Sequence, residues 1–537
     1  MRGWTLTGLV AATGLMTTAL AVVPADAATG AEPVAVRTAT EVSAPVPTLN
    51  WTKCPEYGRR MRCATASVPL DYDHPSGPAI KLSLSKLPAK NQAAKLGSLF
   101  VNPGGPGGTA TDFTPFAAQL LGRTVRQKYD VIGIDPRGVG AHSQVVCRGT
   151  RPIPTGLAFP ITVKQSRQAW AAAQWERRAC QKDGNAIVAH MSTADTARDM
   201  DLIRQAVGDQ VLNYYGISYG TYLGATYAAM FPDRVGRLVV DGVLDPVKWA
   251  TGSASTRNRP FSTRVNSARG AYEALVSALD ECDRVGTKRC AFAGGATAKW
   301  RTLARRAKHG RLRYGGDRLS YQDLVGGTLS MMYDGRSYRF LARFLNQLWR
   351  ASQQPGKHRT ARGLTAARIR KMAQQVIAAP YAPTAARRTV PFSDGFAGVA
   401  CADTVNPKKR AAWWHAGRSQ DRRSPWFGSL WTWVSSACAN WPARYSADAY
   451  RGPFKATTAN PVLIVGNAHD PATPVSGARR LATLLDGSRF LLMNGWGHGA
   501  LGNSCVTAAY NRYYATGTLP AEGKVCAADR PLFPKRS

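Results

Sequence analysis

The sequence predicts a doubly wound α/β fold: a mostly parallel sheet, helices on both faces, and a helical block inserted into it. Three observations carry this expectation. Short apolar runs that end in Gly/Pro loops alternate with helical runs. That alternation stops from about residue 247 to residue 400, where helical spacing dominates. Strand signals then return before the C-terminus, which makes the helical block an insertion into one core.

The elements follow in order. Arg2, the apolar run Leu6–Val23 and the small-x-small site Ala25-Asp26-Ala27 have the form of a signal peptide, with cleavage expected after Ala27 and export to the extracellular space. No later segment offers the unbroken apolar length of a membrane span. Residues 28–46, rich in Ala, Val, Pro and Thr, read as a flexible leader or propeptide. The N-terminal part of the core is placed at 47–246. In it "CATASVPLDY" and "AIKLSLSKLP" are two paired strands, while "LGSLFVNPGG" and "KYDVIGIDPRGVG" are buried strands that end in turns. "TADTARDMDLIRQAVG" is a helix, followed by "VLNYYGISYGTYLGATYAAMF" and the strand "VGRLVVDGVLD". The insertion, 247–400, includes the helical runs "RGAYEALVSALDEC" and "RSYRFLARFLNQLWRASQQ". The C-terminal part of the core, 401–537, contains "PVLIVGNAHD" and "SRFLLMNGWGHG".

The chemistry starts at Gly216-Ile217-Ser218-Tyr219-Gly220, a Gly-x-Ser-x-Gly pattern between a strand and a helix. Glycines on both sides allow a turn tight enough to project the hydroxyl of Ser218 out of the fold. A serine is a weak nucleophile until a base takes its proton, and the base needs a carboxylate to orient it. Asp470 follows the strand "PVLIVG" and His498 follows "RFLLM". Strand C-termini gather at one edge of a parallel sheet, so all three residues are expected there, in the chain order Ser, Asp, His. His469 is a rival base and Asp486 a rival acid. His469 is set aside because it neighbours the carboxylate on an extended loop, and Asp486 because no strand precedes it. An oxyanion needs N–H donors held in place. Gly105 in "VNPGGPGG", with Gly104 as second choice, and Tyr219, next after the serine, are expected to supply them.

The ten cysteines fall as close neighbours: Cys54/Cys63, Cys147/Cys180, Cys282/Cys290, Cys401/Cys438 and Cys505/Cys526. Five sequential disulfides are the simplest connectivity for an exported chain, though not the only one. There is no C-x-x-C pair and no Cys/His cluster of zinc spacing, so neither a metal nor an organic cofactor is expected. The net charge is +37. Residues 247–400 hold 28 Lys/Arg against 8 Asp/Glu. The basic residues are spread along the chain without a nucleic-acid motif, which favours a solvated cationic surface. Adhesion to an anionic cell wall ranks next and nucleic-acid binding is not expected. Oligomeric state is not legible.

The segments "NPGGPGG", "DVIGIDPRGVG", "NYYGISYGTYLGATYAAMFPDRVGRLVVDGVLDP", "GNAHDPATP" and "GWGHGAL" resemble the secreted tripeptidyl aminopeptidases of actinomycetes. These are relatives of the proline iminopeptidases in the α/β-hydrolase superfamily. The resemblance implies an α/β-hydrolase fold and a serine peptidase that releases short peptides from free N-termini. It supports Ser218, Asp470 and His498 as the triad. A secreted esterase or lipase is the alternative within enzymes, and an inactive cationic wall-binding protein the alternative from another class. An exopeptidase needs a carboxylate for the substrate ammonium. Asp334, Asp394 and Asp403 are the candidates, since they lie among aromatic or small residues.

Overall fold

The computed structural model describes residues 43–535 except 151, 153, 155–156, 315, 354–364 and 377–388. The expected signal peptide and most of the expected leader lie outside the described residues, as do two stretches of the expected insertion.

Ten strands form the central sheet: β1 (Thr52–Lys53), β2 (Arg62–Pro69), β3 (Ala79–Leu87), β4 (Gly97–Asn102), β5 (Tyr129–Ile134), β6 (Leu212–Ile217), β7 (Val235–Asp241), β8 (Leu463–His469), β9 (Arg489–Trp496) and β10 (Val525–Ala527). Their spatial order is β1-β2-β3-β5-β4-β6-β7-β8-β9-β10. From β5 to β10 every neighbouring pair is parallel, and β1, β2 and β3 close one end as an antiparallel meander. The central strands are covered on both faces, which is why they read as continuous apolar runs. In β5 all six residues "YDVIGI" are buried. The meander instead alternates, as the burial of β2 shows.

Helices cover the sheet where their caps allow. Ser192 starts the helix Thr193–Ala206 by accepting the Asp195 N–H at 3.1 Å. The helix Tyr219–Met230 is apolar nearly all round and is buried behind β6. One apolar cluster fills each face of the sheet.

The helical block has an apolar cluster of its own. Leu341, Phe344, Leu345 and Leu348 line one face of the helix Tyr338–Gln353 and meet Leu275 and Leu279 of the helix Ser267–Val285. Helices continue past residue 400: Arg410–Arg423 and Gly428–Trp433 place Trp413, Leu430 and Trp433 in that same cluster. The central sheet resumes only at Leu463. A two-stranded antiparallel pair, 147–150 with 389–392, joins the far end of the insertion to the core. No helix among the described residues is long and apolar enough to cross a membrane.

Five disulfides join Cys54–Cys63, Cys147–Cys180, Cys282–Cys290, Cys401–Cys438 and Cys505–Cys526, closing loops of 8 to 37 residues. Thiol titration of the denatured, unreduced chain should therefore find close to none. Reduction should lower the melting temperature markedly, since each native disulfide is worth about 2–4 kcal/mol. Stoichiometric thiols before reduction would contradict the pairing.

Candidate active site

The site is built at the C-terminal edge of β4, β6, β7, β8 and β9. At the end of β6 the chain turns into the helix Tyr219–Met230 in a single residue. Ser218 takes φ 60° and ψ −127°, a region that costs an L-residue about 1–3 kcal/mol. The Ser218 N–H donates to the Asp241 carbonyl at 3.0 Å, and the Ser218 carbonyl accepts the N–H of Thr221 at 2.9 Å. The flanking glycines are steric requirements. A Cβ on Gly216 would lie 2.3 Å from the Gly220 carbonyl, and one on Gly220 would lie 2.9 Å from the Asn102 carbonyl.

The loop after β4 lies directly against this turn. A Cβ on Gly104 would meet the Ile217 carbonyl at 2.5 Å and the Ser218 Cβ at 2.9 Å. The Gly104 N–H donates to Asn102 Oδ1 at 2.9 Å and is thereby occupied. Gly105 is the next donor along the loop, and the N–H of Tyr219 belongs to the first helical turn, which has no partner inside the helix.

Asp470 is fully buried at the end of β8. Its carboxylate accepts N–H groups from Ala472 (2.8 Å), Thr473 (2.8 Å) and Gly499 (2.9 Å) and a hydroxyl from Thr473 (3.0 Å). It also accepts His498 Nδ1–H, at 3.0 Å from both oxygens. Burial pushes the carboxyl pKa up, but the His498 charge and hydrogen bond, with the Gly499 and Thr473 N–H groups, outweigh burial and hold it below its usual value. Burial likewise pushes the imidazole down, yet Asp470 and the charge of Asp241 raise it above 6.5. An ionised carboxylate only accepts, so Nδ1 carries the hydrogen. That leaves Nε2 as the lone-pair nitrogen, and it is buried with no hydrogen-bond partner among the described residues. The histidine loop packs on the serine turn: a Cβ on Gly499 would lie 2.7 Å from Ile217 Cδ1.

Two residues of the site escape sequence reading. Asp241 ends β7, and its fully buried carboxylate accepts the Ala500 N–H at 2.9 Å and the hydroxyls of Tyr215 (2.9 Å) and Tyr510 (3.1 Å). Its backbone holds the serine turn and its side chain holds the histidine loop. Burial raises its pKa to about 6 against these hydrogen bonds. Tyr333 comes from the helical block. Its carbonyl accepts the His498 N–H at 2.9 Å and its ring stands edge-on to the imidazole, 5.0 Å between centroids.

The rival residues fall elsewhere. The His469 ring stacks on Trp496 at 4.5 Å. It lines a groove with Glu273 and Asp280 that neither Ser218 nor His498 lines. Asp486 is exposed and accepts the Thr457 hydroxyl at 2.7 Å. Among the ammonium candidates, Asp403 is a correction: it is fully buried, and its oxygens take the N–H and hydroxyl of Thr193, which also meets the Tyr219 hydroxyl. Its carboxylate has no exposed surface to offer an ammonium group. Asp334 adjoins Tyr333, but both its oxygens accept from the Arg336 guanidinium at 3.0 to 3.2 Å. Asp394 caps the helix Gly395–Asp403 through Oδ1, at 2.8 Å from the Ala397 N–H. That helix start touches the glycine loop, where a Cβ on Gly107 would lie 3.1 Å from the Phe396 nitrogen.

Residues 97–264 match the family model of the alpha/beta hydrolase fold, and residues 424–526 match the model described as TAP-like protein. A carboxylesterase B of Mycobacterium tuberculosis is 32% identical over 502 residues, 90% of each chain. The chain belongs to the α/β-hydrolase family. This hydrolase is also similar to the tripeptidyl aminopeptidase of Streptomyces lividans, 28% identical over 498 residues, 89% of this chain and 86% of that one. The serine protease Hip1 of M. tuberculosis is 27% identical over 514 residues, 89% of this hydrolase and 91% of Hip1.

In this hydrolase Asp241→Asn should slow fluorophosphonate labelling roughly tenfold, the effect of weakening one hydrogen bond to a charged group. Because the Asp241 charge helps raise the imidazole pKa, the midpoint of labelling against pH should also move down. An unchanged rate and midpoint would show that Asp241 only packs.

Proposed function

We propose that this hydrolase is an exported serine exopeptidase that removes short peptides, three residues long by analogy with its aminopeptidase relatives, from free N-termini. One observation carries the catalytic part: a buried imidazole fixed by a buried carboxylate, its Nε2 left open, in a loop packed against the serine turn. In this reading the Ser218 hydroxyl attacks the scissile carbonyl and His498 Nε2 takes its proton. The N–H groups of Gly105 and Tyr219 donate to the oxyanion. Nε2 returns the proton to the departing amine as the C–N bond breaks, which leaves an acyl-Ser218. Water then attacks the acyl carbon and loses its proton to His498, which returns it to Ser218 Oγ as the ester C–O bond breaks, so the peptide leaves as a carboxylic acid and the serine hydroxyl is restored. Asp470 stays ionised throughout and stabilises the imidazolium.

The peptidase part rests on the relatives named tripeptidyl aminopeptidase and serine protease, which this chain matches over most of its length. Export rests on the N-terminal leader and the five disulfides. Asp394 is the ammonium anchor this reading favours. Among the described residues it has no ion-pair partner and only one of its oxygens accepts a hydrogen bond, and its helix abuts the glycine loop. Three extended residues span about 10 Å, which sets the distance from anchor to Ser218. An esterase is the second reading, favoured by the 32% identity to a protein named carboxylesterase B.

Ser218→Ala should abolish both turnover and fluorophosphonate labelling without changing the melting curve, and activity near wild type would end the assignment. kcat/KM should fall on the acid side with a midpoint above 6.5, since the imidazole must be neutral and its pKa is raised. A flat profile from pH 5 to 8 rules out a histidine base. Peptide p-nitroanilides with a free amine should be cleaved far faster than their N-acetyl forms, and Asp394→Asn should erase that preference by slowing only the free-amine series. Equal cleavage of both series by the wild type would favour the esterase reading.

A further inference from the structure

Away from the catalytic edge, three segments distant in sequence bring metal-binding side chains together. Asp71 lies in the turn between β2 and β3, His190 immediately before the helix Thr193–Ala206, and Asp448 in the loop after 443–446. One ligand atom from each lies within 4.8 Å of the others. His190 Nδ1 stands 3.8 Å from Asp448 Oδ2, too far for a hydrogen bond, and it is buried with no hydrogen-bond partner among the described residues. His74 supports the group from outside, its Nδ1 at 2.9 Å from Asp71 Oδ2.

The spacing suits a small cation. Tetrahedral zinc holds nitrogen and oxygen ligands at about 2.0–2.2 Å, which puts neighbouring ligand atoms roughly 3.3–3.5 Å apart. The observed gap between His190 and Asp448 needs less than an ångström of closure. Charge points the same way. The adjacent buried carboxylates are already matched, Asp195 by Arg198 at 2.9 Å and Asp199 by Arg137. Among the described residues the only cationic groups beside Asp71 and Asp448 are the imidazoles of His74 and His190, while the Asp73 N–H also donates to Asp71 Oδ1 at 2.8 Å. Two carboxylates with an imidazole nitrogen suit zinc better than calcium, which takes six to eight oxygens.

We propose that Asp71, His190 and Asp448 form a zinc site, with His74 orienting Asp71 through its hydrogen bond. The three side chains leave the fourth tetrahedral position to water, and the role of the site is to brace the fold. It fastens the β2–β3 turn and the start of the helix Thr193–Ala206 to the 446–451 loop. That loop in turn supports the floor under the serine helix. The Tyr222 hydroxyl donates to the Tyr450 carbonyl at 3.1 Å, and Arg451 donates to the carbonyls of Asp403 (3.0 Å) and Ala402 (2.9 Å). The cysteines cannot supply an alternative site, because all ten are in disulfides.

The test uses the full secreted chain, stripped with EDTA and exchanged into metal-free buffer at pH 7.5. Calorimetric titration with zinc chloride should show one saturable site per chain. Thermal unfolding should shift upward with zinc, because a ligand that binds only the folded state stabilises it by mass action. Calcium and magnesium chloride should produce neither effect. His190→Ala and Asp448→Asn should each abolish the zinc-dependent shift while the metal-free melting temperature stays near that of the wild type. His74→Ala should bind about ten- to a hundredfold more weakly, as for a lost supporting partner. Absence of saturable one-to-one binding overturns the proposal. So does wild-type zinc affinity in both His190→Ala and Asp448→Asn, since the metal would then sit elsewhere.

Discussion

The left-handed backbone of Ser218 is the constraint around which the rest of the site is arranged. Its strain of about 1–3 kcal/mol persists only if the surroundings leave no alternative. They do so through backbone contacts that admit no side chain at Gly216, Gly220 or Gly104. Strands β4, β6 and β7 must therefore lie side by side, with the glycine loop against the turn. The Ser218 N–H finds its acceptor on β7 for the same reason. β8 pairs with β7 and β9 pairs with β8, so the loops that hold Asp470 and His498 follow in sequence along one edge. The helical block leaves the sheet from that same edge, after Asp241. This is how Tyr333, far from the core in sequence, comes to support His498.

Two buried carboxylates then face one imidazole, and their surroundings divide the work. Both are desolvated, which favours the neutral form. Asp470 accepts several N–H groups and the imidazole itself, and these outweigh burial. Asp241 accepts one backbone N–H and two tyrosine hydroxyls and stays raised at about 6. In the proposed mechanism Asp470 is the acid that keeps its charge when His498 becomes protonated. Asp241 contributes a weaker, pH-dependent field, and its larger effect is geometric, since it joins the serine turn to the loop after His498.

Much of this was legible in the sequence, for identifiable reasons. Buried parallel strands are apolar along their whole length, so β4 to β9 stand out, and the elbow glycines are visible because nothing else fits there. Asp470 and His498 follow from each having its own strand. The short β10 lacks enough residues for a pattern. Asp241 stands at the end of a strand, and nothing local reveals that two of its partners, Tyr510 and Ala500, lie more than 250 residues away. Asp403 misled for the opposite reason. Small neighbours suggested an open site, but they are small because the helix Gly395–Asp403 packs into the core against the helix Thr193–Ala206. The end of the insertion is equally invisible from composition. Trp413 and Trp433 are apolar in either context, and only tertiary packing assigns them to the helical cluster.

The charge of the helical block bears on recognition more than on folding. Several of its few acids are consumed by arginines close in sequence: Glu273 by Arg269, Glu281 by Arg284 and Asp334 by Arg336. Such exposed pairs are worth about 0–1 kcal/mol each, so they do little for stability. Their consequence is that these carboxylates are already matched when a substrate arrives. An ammonium group approaching a strongly basic surface is repelled at distances up to the Debye length, about 8–10 Å, and must be captured by an acid that no arginine has claimed. Among the described residues Asp394, next to the glycine loop, has no arginine partner, and the proposed reading assigns it that task. In the proposed exopeptidase reading, a basic insertion with Asp394 close to the glycine loop rejects most cations and still admits one ammonium in one place.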